Sequence, residues 1–231
     1  MNKLFRKKEL RYRNLALVIL PFLIAIVACV GLIYKSLASF SSGTTTSATT
    51  PVEESSSAEK MGYYLRANAA DLQISLYEEL EALLEAEEED SEAIALSICK
   101  NYVADFYTWS NKKGIYDIGG LTYVYATIKP NMYNQARDGF YHYLNHYINQ
   151  YGSDNLLEVI SVDGEVWALK EGFKYQLDED TTFEDSYMIS LTWEYKDSSV
   201  FDNSEYARAQ YFTVVRNEDG RYEIMEAYKG Q

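Results

Sequence analysis

YMISLTWEY, Tyr187 to Tyr195, alternates without a break. Tyr187, Ile189, Leu191, Trp193 and Tyr195 fall on one side of an extended chain, and Met188, Ser190, Thr192 and Glu194 on the other. Successive side chains of a strand point to opposite faces, so the pattern predicts a strand with one buried face. The neighbouring sequence repeats the theme. Asp163-Gly164 is a two-residue hairpin signal and predicts a turn between Leu156–Val162 and Glu165–Lys170. Tyr206–Arg216 and Arg221–Tyr228 predict two more strands, joined by a turn at Asp219-Gly220. Strands that follow one another as hairpins build an antiparallel sheet.

Helices come before the strands. Asp90 or Ser91 can cap a helix from about Glu92 to Asn111. Its apolar arc holds Ile94, Ala95, Ile98, Cys99, Tyr102, Val103, Phe106 and Trp109, so wide that the helix must lie on a sheet or in a core. Tyr116–Ala126, aromatic and β-branched, predicts a short strand. Pro130 starts a third helix and Gly152 ends it. Helices gathered on one face of an antiparallel sheet give the α+β class.

This order of elements over residues 91–231 resembles the nuclear-transport-factor-2-like superfamily, a curved antiparallel sheet closed by helices into a cone. The resemblance rests on element order and alternation. It implies a cone with an interior, and, in the members that are enzymes, an acidic side chain inside it.

Upstream, Glu59–Asp90 is rich in Ala, Leu and Glu and predicts one acidic amphipathic helix over residues 59–90. Leu72, Leu76, Leu80 and Leu84 recur at i+4 and form a stripe that must pack on the following domain or on a second copy of itself. The stripe is therefore a candidate for self-association. Residues 35–58 predict a disordered linker, with 13 Ser or Thr among residues 36–58 and almost nothing to bury. As a flexible coil such a segment spans roughly 25 Å.

Leu15–Tyr34, LALVILPFLIAIVACVGLIY, is 20 residues without a charge. A helix of that length spans about 30 Å, the thickness of a bilayer's hydrocarbon core. Six basic residues precede it and only Lys35 follows closely. The positive-inside rule predicts a cytoplasmic tail of residues 1–14, a span of residues 15–34 and an exterior remainder. Two processing alternatives stand beside an uncleaved anchor. Ser36-Leu37-Ala38 offers a weak cleavage site, and Ile26-Val27-Ala28-Cys29 resembles a lipobox, although the apolar run continues past Cys29.

This plan, a short basic tail, one span, a linker and a cone, resembles the bitopic channel components of bacterial conjugation and type IV secretion. That resemblance implies a scaffold without catalysis. The expected partners are the lipid bilayer through residues 15–34 and other proteins or further copies of the chain. The net charge of −14 over 231 residues, deepening to −20 beyond Lys35, argues against a nucleic-acid partner. The hydrophobic fraction of 47% excludes wholesale disorder, and two cysteines exclude a disulfide framework or a four-cysteine zinc site.

Three constellations bear on chemistry. His142 and His146 stand at i, i+4 with Asp138 a turn earlier, but His142 falls opposite the inward arc of its helix, so no metal or other cofactor is expected. Asp105 falls beside Ile94 and Ile98 on an apolar arc, and Glu226 sits between Ile224 and Tyr228 on a strand. Burial would raise the pKa of either acid for acid–base work, as the cone resemblance implies. The alternatives are that Asp105 edges into solvent and that Glu226 pairs with Arg208 or Arg216. No nucleophile with a base partner stands out, so the expectation is a non-enzyme. An exterior module binding a small ligand or wall glycan, and an enzyme using Asp105 or Glu226, are the competing readings.

Overall fold

A computed structural model describes residues 56–228, all within one compact unit, Glu54–Gln231. The basic tail, the apolar span and nearly all of the linker lie outside the described residues. Among the described residues no helix is long and apolar enough to cross a membrane.

The order is α1 (Ser57–Lys60), α2 (Asp71–Glu85), α3 (Ser91–Phe106), a 3-10 turn (Leu121–Tyr123), α4 (Lys129–Asp138) and α5 (Leu144–Tyr151). Four strands follow: β1 (Val159–Gln176), β2 (Thr182–Tyr195), β3 (Ala209–Arg216) and β4 (Tyr222–Tyr228). They form one antiparallel sheet in the order β1-β2-β3-β4, with helices packed on it, an α+β fold.

The Tyr187–Tyr195 strand is as its alternation predicts. Its five odd-numbered residues are buried, and Met188, Ser190, Thr192 and Glu194 are half-buried or exposed. Opposite this face lies α3, started by Asp90, whose Oδ1 accepts the Ala93 N–H at 3.0 Å. The helix ends at Phe106, short of the expected Asn111, so Trp109 lies in the loop beyond it. The residues of the predicted arc are buried, and so are Ser97, Asn101 and Ala104 on the other side, because α2 covers them. Asn101 donates to the Leu76 carbonyl at 2.9 Å, so the polar side of α3 is satisfied by α2. Cys99 is fully buried.

Four other expectations are corrected. The helix over residues 59–90 is interrupted: α1 ends at Lys60, Gly62 takes a left-handed φ of 79°, and helix resumes at Asp71. Between these corrections one open choice is decided without one: of the two placements expected for the leucine stripe, it takes the first, on α2 and against this chain's own core. Leu76 and Leu80 are buried, and Leu72 and Leu84 are partly buried against the same cluster. The helix from Pro130 to Gly152 breaks at residues 139–143, where Tyr141 is drawn fully into the core. Tyr116–Ala126 supplies no strand, only a single parallel bridge between Val124 and Ile224.

The fourth correction is Asp163-Gly164, which makes no hairpin. The chain passes straight through it as part of β1, and Gly164 pairs with Leu191. A Cβ there would meet the Ser190 carbonyl at 2.3 Å and Leu191 Cδ2 at 2.2 Å, so the glycine serves a close approach of β2. The turn comes later, where Asp178 Oδ1 accepts the N–H groups of Asp180 and Thr181 at 3.0 and 2.8 Å.

Between α3 and the sheet the interior is filled by rings. Phe106 stacks on Phe140 at 5.5 Å and on Tyr102 at 5.1 Å, and Tyr102 meets Phe212 edge-on at 5.6 Å. Tyr107 lies 4.5 Å from Trp193, and Trp109 4.8 Å from Phe140.

Candidate functional site

Asp105, the acid on the apolar arc, sits at the last turn of α3 and is the centre of a polar knot. Its Oδ1 accepts from Arg66 Nε at 2.7 Å, Lys112 Nζ at 2.9 Å and Gln73 Nε2 at 3.3 Å. Its Oδ2 accepts the Gly120 N–H at 2.7 Å. Gly119 and Gly120 allow the loop to approach so closely: a Cβ on Gly119 would stand 2.3 Å from the Asp105 carbonyl oxygen, and Gly120 takes a φ of 74°.

The knot reaches into the loop after α3. Arg66 Nη2 pairs with Asp117 at 3.1 Å and Nη1 donates to the Asn111 carbonyl at 3.1 Å. Lys112 also donates to Asn111 Oδ1 at 2.8 Å, and Asn111 donates to Gln73 Oε1 at 2.7 Å. Two cations thus face two carboxylates across four chain segments.

Burial alone would raise the Asp105 carboxyl. Lys112, Arg66 and the Gly120 N–H outweigh it and hold the group below the ordinary carboxylate value. The Lys112 side chain has 0% exposure, and burial lowers its pKa to about 8 against the opposing pull of Asp105. Asp117 is also held low, because Arg66 and the Lys113 N–H outweigh its burial. The chemical meaning is plain. Asp105 is held as an ionised carboxylate, with three donors on Oδ1 and one on Oδ2. The carboxylate does edge into solvent, with a side-chain exposure of 20%, while this network holds it.

Glu226 is elsewhere. It lies exposed on the side of the sheet away from Phe212 and Val214, where it accepts from Tyr175 Oη at 3.0 Å and Thr213 Oγ1 at 3.3 Å. Neither expected arginine reaches it: Arg216 pairs with Glu89 at 2.9 Å, and Arg208 donates to Asn203 Oδ1 at 2.8 Å. Glu226 lines a shallow cleft between α4 and β4 with Met132, Gln135 and Tyr228, and Asp105 is not part of that lining. The two acids are not brought together.

His142 and His146 are exposed, and Asp138 is bonded to Arg137 at 2.7 Å. Among the described residues no group of three His, Cys, Asp or Glu side chains is arranged to hold a metal ion.

Sequence reasoning missed Arg66, Lys112, Asp117, Gln73 and Asn111. The available signal was Asp105 itself, because a carboxylate on a buried arc requires cations or N–H donors. On the outer face of the sheet, Trp167 is 55% exposed and meets Tyr211 at 5.3 Å. No protein-family model, curated protein or solved structure matches the chain.

Proposed function

We propose that this chain is a membrane-anchored scaffold or interaction protein whose exterior domain does no catalysis. In this reading residues 15–34 span the membrane with the N-terminus in the cytoplasm. The exterior domain is of the nuclear-transport-factor-2-like kind, and the protein acts in a bacterial envelope complex such as a conjugation or secretion channel. One observation carries the non-catalytic part: Asp105 is pinned ionised by Arg66, Lys112 and Gly120, while rings fill the space beside it. The interior is spent on folding, so recognition falls to the outer surface.

The test is made in cells. Protease added to intact cells with an accessible outer surface should remove the domain, and cross-linking in place should capture further copies of the chain or another envelope protein. Glu226→Gln should leave biological activity unchanged. A protected domain that captures no protein, or a folded Glu226→Gln chain without activity, would overturn the reading.

The exposed Trp167 beside Tyr211 favours one second reading, a module that binds wall glycan on the outer sheet face. Retention on isolated cell-wall glycan, lost in Trp167→Ala, would support it.

A further inference from the structure

The first described residues are tied to the last strand. Tyr63 is fully buried, and its hydroxyl donates to the Tyr222 carbonyl at 2.8 Å while accepting the Tyr222 N–H at 3.0 Å. Tyr222 opens β4, so one side chain occupies both hydrogen-bonding groups at the head of an edge strand. Arg221 covers the Tyr63 ring at 4.6 Å and donates to the Gly62 carbonyl at 3.2 Å. Thr122 donates to the same carbonyl at 2.9 Å.

Three residues on, Arg66 enters the knot at the end of α3. Tyr64 and Leu65, between the two fixings, are exposed. The segment before α2 is therefore fixed on β4 through Tyr63 and on α3 through Arg66, with further bonds to α2 at Ala58 and Tyr63 and to the loop after α3 at Asn68.

We infer that residues 56–70 are a strap under tension, whose fixings at Tyr63 and Arg66 take up force entering the domain from its N-terminal side. The inference rests on the membrane-anchored reading, which supplies the tension: residue 56 follows the linker and the proposed span. The geometry gives the path. Tyr63 and Tyr222 are 159 residues apart in sequence, and their contact joins the N-terminal segment directly to the C-terminal strand. Pull between the two ends passes through α1 to that contact and loads the Tyr63–Tyr222 hydrogen bonds before α2 and the helices that follow it. A domain held by its N-terminal side on one hand and by partners on the other needs such a fixing, because α1 is only four residues long.

Single-molecule pulling on the full chain, held in a detergent micelle or nanodisc, tests this. One handle is placed at the C-terminus and the other either at the N-terminus or at exposed Ser75, beyond the strap. Tyr63→Phe keeps the ring and removes both hydrogen bonds, and Arg66→Gln removes two ion pairs. At constant force, each variant should shorten the folded lifetime about tenfold when the pull enters at the N-terminus, the loss expected from one to two hydrogen bonds. Pulled from residue 75, the shortening should be markedly smaller for both variants. Equal shortening in both geometries would mean that the contacts serve general stability alone, and no shortening in either would mean that the strap lies outside the load path. Both results overturn the inference. The anchor reading fails separately, by release of the chain from membranes at alkaline pH, which leaves the measured lifetimes unchanged.

Discussion

Asp105 and Phe106 are consecutive residues at the end of α3, and opposite physics holds them. Phe106 lies among rings, and each neighbour adds a small, non-directional gain. Asp105 lies among donors, and each bond there depends on the others being made. An apolar cluster loses stability in proportion to what is removed from it. A buried ionic knot loses most when one member goes and its partner stays charged. The difference teaches why an acid on an apolar arc is a poor sign of catalysis by itself: the same burial that would raise its pKa also recruits the cations that lower it.

The largest expected effect is on the apolar side. Leu76→Ala with Leu80→Ala removes two buried side chains of the α2 stripe, and each such truncation costs about 2–5 kcal/mol. Denaturation midpoints should fall equally at every protein concentration, because the stripe packs within the chain. A loss that grows on dilution would move the stripe to an interface between copies and break the comparison.

The knot comes next. Asp105→Asn keeps the shape and leaves Lys112 charged and buried, at a cost of about 3–5 kcal/mol or somewhat less, given partial exposure of the carboxylate. Replacing both, Asp105→Asn with Lys112→Met, should cost less than the single change. Urea unfolding of the three variants reads this directly, and simple additivity would mean that the knot is a set of independent bonds.

A smaller effect is a pH slope. Lys112 has a folded pKa of about 8 against an ordinary 10.5, so between these values the unfolded chain holds a proton that the folded one lacks. Stability should rise with pH from about 8 toward 10. Near pH 10 the slope reverses, because burial raises the Tyr63 phenol to about 12 and its unfolded form ionises first. Lys112→Met should flatten the rise. At the acid end the sign is the same, because the folded value of Asp105 is also the lower one. The contribution of Asp105 is present above its ordinary value of 3.8 and lost as pH falls through its lower folded value. Chemical denaturation at stepped pH measures both limbs, and a monotonic fall from pH 7 to 10 in the unaltered chain would contradict this account of Lys112.

Glu226→Gln marks the small end. Glu226 is exposed and its partners are two hydroxyls, so the change should stay within about 0.5 kcal/mol by thermal unfolding. A larger loss would show that the outer face of the sheet carries a second polar network.

The legible parts of the fold were those where one periodicity governs many residues. The Tyr187–Tyr195 alternation and the α3 arc each set a buried face by repetition. Single-residue signals fared worse. Asp163-Gly164 has the composition of a turn, but the chain uses the glycine to let β2 approach, which depends on Ser190 and Leu191 far along the sequence. Tyr141 falls in a helical pattern, yet its hydroxyl bonds the Phe106 carbonyl at 2.6 Å, and that contact takes precedence over the helix. The candidate site was half legible. Asp105 could be named from the arc, while Arg66 and Lys112 approach it from segments whose local sequence gives no hint of the meeting.

Cys99 has a further consequence. Its thiol is fully buried on the α3 arc that faces the sheet, and burial pushes its pKa well above the ordinary value. A thiol that is both covered and protonated is silent toward alkylating reagents until the helices part. Its labelling rate therefore measures how often the domain opens. Peptide mapping can follow position 99 in living cells, where the same clock would tell whether a partner holds the domain shut.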